Sequence, residues 1–125
     1  EQVKNEKGLE CLKVASQINK GWYIFYGPSL FRSGKQEEAL KVLEEVENLP
    51  ESSFFNLALA SMYHASGNMD KTFEYLEKGK KHAWYPWFIR IYLADEKLLQ
   101  DPRYEGLLRE LNLPHPAPLE YDPDP

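Results

Sequence analysis

The side chains able to do chemistry are few and scattered. The histidines are His64, His82 and His115. None stands four residues from another histidine and none lies in an HExxH run, the spacing that puts two imidazoles on one helix face for zinc. Cys11 is the sole cysteine, so neither an intramolecular disulfide nor a cysteine-based zinc cluster can form. The chain has no GxSxG nucleophile elbow, no GxxxxGKS/T phosphate loop and no GxGxxG dinucleotide loop. Carboxylates are plentiful, but the pattern places them on solvated faces, as with Glu37, Glu38, Glu44 and Glu45. Glu37 to Lys41 is an i, i+4 pair of that kind. With no converging acid, base, nucleophile or ligand set, the expectation is no enzyme, no cofactor and no metal.

Two clusters invite binding rather than catalysis. Lys78, Lys80 and Lys81 form either a small anion patch or a complement to a helix carboxy-terminal dipole; the second is the reading. Trp84, Tyr85, Trp87 and Phe88 surround Pro86. They are either a binding hot spot or rings that staple a third helix pair onto the unit before it, with part of one ring exposed. Stapling is the reading.

These residues sit on a chain of 125 residues, about one domain, with 15 Lys plus Arg against 20 Asp plus Glu. A net charge of −5 without a basic stripe argues against nucleic acid and against an anionic membrane surface. No apolar run is long enough to span a bilayer. The start EQVKNEKG has no initiator Met and no signal core, which reads as a fragment of a longer polypeptide or a processed one. A lone cysteine fits a reducing, cytoplasmic setting.

The elements repeat. SGKQEEALKVLEEVE and SGNMDKTFEYLEKGK align with Gly34 and Gly67 33 residues apart, and each follows an apolar helix. Each unit is therefore helix, tight turn, helix, with a glycine where positive φ is needed. GLECLKVASQINKG reads as a third second-helix, a half repeat. Gly8, Ala39 and Gly79 are read as close-approach positions. Leu12, Leu40, Leu43 and Leu76 are read as an apolar stripe. Ser52 or Ser53 caps the next helix, and Asp101-Pro102 is a start signal. Pro86 opens a helix over WFIRIYLADEKLL. Pro28 falls inside a helix, which either kinks there or starts there; a kink is the reading. No segment alternates with period two, so no strand is expected.

The units resemble tetratricopeptide repeats. The resemblance rests on Leu59, Ala60, Tyr63, Gly67 and Leu76 in the second unit, and on Tyr23, Tyr26, Gly27, Gly34, Ala39 and Leu43 in the first. Asn56, Thr72 and Leu30 depart from the pattern. The stretch Phe54 to Leu113, with its DPRYEGLLRELNL ending, is similar to the carboxy-terminal repeat array of bacterial multidomain regulators. The resemblance implies an all-α fold, a right-handed α-α superhelix of antiparallel helix pairs. Its parts are a half repeat over 1–20, repeat units over 21–50 and 51–83, a capping helix pair over 84–113 and a tail over 114–125. It implies a scaffold that binds a protein or peptide in its concave groove, lined by Ile24, Phe31, Arg32, Phe54, Leu57, Ser61 and His64. The alternative it implies is a regulatory or self-association domain of a transcription regulator, kinase or nucleotide cyclase. The repeat subclass that clamps a carboxylate terminus is not indicated, because Ile24, Pro28 and Ala58 occupy its positions.

The tail PHPAPLEYDPDP holds five of the nine prolines. It also carries Glu120, Asp122 and Asp124, three of the five net negative charges, which leaves −2 on the rest. Extended or disordered is its expectation. Such a tail can lie in the groove of its own or a neighbouring chain, so a homodimer through Pro114–Pro125 is entertained.

Overall fold

The computed structural model describes residues 2–112, with side chains from 6 onward. The expectation for the tail, 114–125, lies outside the described residues. Within them the chain is all-helical, with eight α-helices and no strand. It divides into two compact units, Glu1–Tyr85 and Pro86–Pro125. No helix among the described residues is long and apolar enough to cross a membrane.

The first unit holds α1 (Gln2–Ile18), a 3-10 turn (Lys20–Trp22), α2 (Tyr23–Arg32), α3 (Gln36–Glu47), α4 (Ser53–Ser66) and α5 (Met69–Lys78). Helix α2 packs on α1, α3 and α4, and α4 packs on α5. Seven consecutive residues of α4, Asn56 to Met62, are buried. Seven residues make two turns, so the helix is enclosed on every side.

Two helical hairpins carry the same turn 33 residues apart. At Gly34 (φ 77°) the Lys35 N–H donates to the Leu30 carbonyl at 3.0 Å. At Gly67 (φ 89°) the Asn68 N–H donates to the Tyr63 carbonyl at 2.9 Å. Only glycine enters this left-handed region without strain. Ala39 and its counterpart Thr72 are both fully buried. Thr72 is tolerated there because its hydroxyl donates to the Asn68 carbonyl at 2.8 Å. Asn56, the other departure, donates from Nδ2 to the Lys78 carbonyl at the end of α5, 3.4 Å away.

Pro28 neither starts α2 nor ends it; the helix begins five residues earlier and runs on to Arg32. A proline cannot donate to the carbonyl four residues back, here Ile24. The Ser61 hydroxyl of α4 reaches that carbonyl at 3.2 Å while also lying 2.8 Å from the Ala58 carbonyl. Next to Pro28, a Cβ on Gly27 would fall inside the Met62 side chain. The two helices thus meet almost backbone to side chain.

Three sequence expectations are corrected. A Cβ at Gly8 meets nothing within 4 Å, so Gly8 is no close-approach site. Leu40 is 48% exposed, and the stripe on α3 is Ala39, Leu43 and Val46 instead. The helix expected over WFIRIYLADEKLL is broken. In the second unit, α6 (Tyr85–Trp87) leads into a π-helical turn (Phe88–Tyr92), then α7 (Glu96–Gln100) and α8 (Pro102–Glu110). Asp95 stops propagation because its carboxylate accepts from the Leu98 N–H at 2.9 Å and starts α7 afresh. Asp101 caps α8 through the Arg103 N–H at 2.9 Å and holds the Arg103 guanidinium as well. That hydrogen bond holds the Asp101 carboxyl below its usual range. The Tyr104 hydroxyl donates to the Ile89 carbonyl in the π turn at 2.9 Å, and Tyr104 is fully buried.

Ser61→Ala is expected to cost about 1 kcal/mol in urea unfolding. In a Pro28→Ala background, where residue 28 regains its N–H, the cost should be smaller. Equal costs in both backgrounds would show that Ser61 does not serve the Ile24 carbonyl.

Alkaline stability follows from two tyrosines facing α3. Burial first, then a hydrogen bond to Glu45, pushes the Tyr23 hydroxyl up to about 12. Burial and the 2.7 Å bond to Glu47 raise Tyr63 as well. Unfolded tyrosine titrates near 10. Between about pH 10 and 12 the folded state therefore binds more protons, and stability falls as pH rises through that window. Below pH ~10 their stabilisation is complete. Melting temperatures by circular dichroism from pH 9 upward check this, and Tyr23→Phe should flatten the fall.

Candidate functional site

One apolar hollow lies where the turn after α1 meets the first turns of α2 and α4. Asn19 ends α1 by accepting the Gly21 N–H on its Oδ1 at 2.8 Å. The resulting 3-10 turn carries Trp22, and Phe25 follows in the first turn of α2, their rings 5.9 Å apart. Across from it, Ser52 caps α4 through the Phe55 N–H at 3.1 Å and so fixes Phe54 in the first turn. Gly21 borders the Phe54 ring: a Cβ there would make ordinary contact with the ring at 3.5 Å and a tighter one with Asn19 Oδ1 at 3.1 Å.

The third wall follows α5. His82 Nδ1 accepts the Trp84 N–H at 3.0 Å, which requires that nitrogen to be unprotonated. The Phe54 ring lies 5.4 Å from His82 and 5.8 Å, edge to face, from Trp84. Edge-to-face rings of this kind hold each other in place. Together Asn19, Gly21, Trp22, Ile24, Phe25, Phe54 and Trp84 line a cleft of about 250 Å³. Trp22 is 45% exposed and Trp84 48%. Two half-exposed indoles on fixed backbone are a ready apolar contact surface.

A second hollow of about 230 Å³ lies among Val46, Glu47, Pro50, Phe55, Tyr75 and Lys78. Its groups are engaged with one another. Lys78 Nζ sits 4.9 Å over the Tyr75 ring, Tyr75 stacks on Tyr63 at 5.5 Å, and Tyr63 bonds Glu47. It offers less to a partner.

The residues expected to line a concave groove do not converge. Ile24 and Phe54 meet in the aromatic cleft. Phe31 packs against the cluster of Leu9, Tyr26, Leu30 and Ala39. Arg32 is exposed at the end of α2, and His64 is partly buried in the last turn of α4. Leu57 and Ser61 are corrected, since both are fully buried, and Ile24, which backs the cleft, is buried as well. Leu57 fills the space that a side chain at Gly79 would need, and Ser61 serves the carbonyls of α2 and α4.

The lysine cluster is not an open anion patch either. Lys80 pairs with Glu77 at 2.6 Å, and Lys78 lies on Tyr75. Of the aromatic cluster, Tyr85 and Phe88 are buried, but two rings, Trp84 and Trp87, stay about half exposed rather than part of one. Asn19 and Trp22 had no signal as site residues because they belong to a turn between elements, and Phe25 had none in the first turn of α2. Among the described residues, no group of three or more His, Cys, Asp or Glu is placed to hold a metal ion. Set against known proteins, the chain matches no family model, no curated protein and no solved structure.

His82→Ala should release Trp84 and red-shift the tryptophan emission. The same substitution in a Trp84→Phe background should leave the emission unmoved. A red shift that persists there would place the effect elsewhere.

Proposed function

We propose that this chain is a non-enzymatic protein-interaction module that captures an extended peptide of a partner protein. The observation that carries the reading is the aromatic cleft with its two half-exposed indoles, Trp22 and Trp84. Its volume falls below the ~300–1,000 Å³ of enclosed small-molecule sites, which suits a few side chains of a larger ligand. The cleft takes the place of the concave groove, three of whose expected residues, Ile24, Leu57 and Ser61, are buried.

The architecture we propose is a short right-handed array of tetratricopeptide-like helix pairs. Supporting it are two hairpins with the same glycine turn at the same spacing, and matched small residues at Ala39 and Thr72. The alternative, a self-association or regulatory domain of a larger bacterial regulator, draws support from one feature. Cys11, Val14 and Ile18 form an exposed apolar stripe on α1, with Ile18 83% exposed. A reducing cytoplasmic setting suits the exposed thiol in either case.

A screen of the full chain against twelve-residue peptides on an array tests the reading. Selected peptides should lose affinity by about tenfold or more with Trp22→Ala or Trp84→Ala, as aromatic anchors do. Trp87→Ala should change nothing. Peptides that bind the Trp22→Ala/Trp84→Ala double variant as well as the native chain would remove the cleft from the function.

A further inference from the structure

The cleft has a chemistry that points to one kind of peptide. Its walls are rings, Trp22, Phe25, Phe54 and Trp84, with no carboxylate or buried cation among the lining residues. Proline is the residue such walls suit best. Its ring is apolar and flat-sided, and its φ is fixed, so little conformational freedom is lost on docking. Grooves lined by aromatic side chains take proline-rich segments for this reason.

Two exposed cations stand close to the lining residues in the chain. Lys20 lies between the lining residues Asn19 and Gly21, and Lys81 lies three residues before Trp84. Both are exposed. The matching ligand is therefore proline-rich at its centre and acidic at its end. The chain contains one such segment. Pro114, Pro116 and Pro118 are spaced two apart, and Glu120, Asp122 and Asp124 follow at the same spacing.

Resting on the reading of this cleft as a peptide site, we infer that its ligand is a proline-rich acidic segment, and specifically Pro114–Pro125 of a second copy of the chain. The prolines lie against the indoles of Trp22 and Trp84, and the carboxylates face Lys20 and Lys81. A single short segment in so small a cleft binds weakly. In a twofold dimer each copy gives its segment and receives its partner's, so the contact is made twice. The second contact is then intramolecular and gains from the raised effective concentration. Exposed charge pairs add only a few-fold each, so the rings carry the affinity and the lysines the direction.

The experiment uses the full chain with 5-fluorotryptophan at its three tryptophans, followed by fluorine NMR and sedimentation equilibrium. In the native chain the Trp22 and Trp84 signals should shift with protein concentration as the mass rises toward a dimer, while Trp87 stays fixed. The Pro114→Ser/Pro116→Ser/Pro118→Ser variant should be monomeric, with both signals fixed. Adding a synthetic peptide of residues 113–125 to that variant should restore the native shifts. Lys20→Glu/Lys81→Glu should weaken the peptide a few-fold and remove most of its salt dependence.

Identical Trp22 and Trp84 signals in native chain and proline variant overturn the inference. So does a native chain that stays monomeric, or a short single-stranded oligonucleotide that moves these signals while the peptide does not. If array-selected peptides of other composition bind at the two tryptophans while residues 113–125 do not, the peptide-site reading stands and this ligand assignment falls. If no peptide moves either signal, both fall.

Discussion

Helix α4 sets the terms for the first unit. It is enclosed on all sides from Asn56 to Met62, and a helix so enclosed must be approached closely by its neighbours. Glycine makes two of these approaches possible. Gly27 of α2 lies against Met62, and Gly79 after α5 lies against Leu57, in positions where a Cβ would collide. Small residues on α4 itself, Ala58, Ala60 and Ser61, keep its own surface shallow. The gain is dense packing, which a methyl group in the wrong place would disturb by about 1–3 kcal/mol.

Close approach brings a polar cost that the same residues offset. Moving α2 onto α4 buries Pro28 and the carbonyl it cannot serve. Ser61 stands on α4 where its hydroxyl reaches that carbonyl. Buried Thr72 and Ser16 follow the same logic, each turning its hydroxyl back to a carbonyl four residues earlier. Buried hydroxyls in this chain are tolerated where a neighbouring carbonyl accepts from them.

Local signals in the sequence were legible where a single residue type suffices. The Gly34 and Gly67 turns, the Ser52 cap and the Asp101-Pro102 start all stand where spacing places them. Each depends on one backbone conformation or one capping bond. Burial was less legible. Periodicity assigns residues to faces of their own helix but does not count the neighbours on each face. Leu57 and Ser61 read as groove-facing, yet α4 has no open face at their level. Leu40 read as core, yet the inward stripe of α3 ends beside it. The helix broken at Asp95 shows a cap prevailing over an apolar run. The cleft residues were hardest, because Trp22 and Trp84 are brought together by a turn and by a segment after α5, neither of which has a period.

The cleft also shows how a repeat makes an unequal site. Gly21 and Phe54 are 33 residues apart, so they occupy the same register in the two hairpins, and both line the cleft. Glycine in one and phenylalanine in the other border a hollow with an aromatic floor. The same register places Phe25 opposite Ala58 in type, a ring at the cleft in one unit and a buried methyl in the other. Equivalent backbone is thus used twice, once to pack and once to leave room. The hollow arises where the sequences of the two hairpins differ.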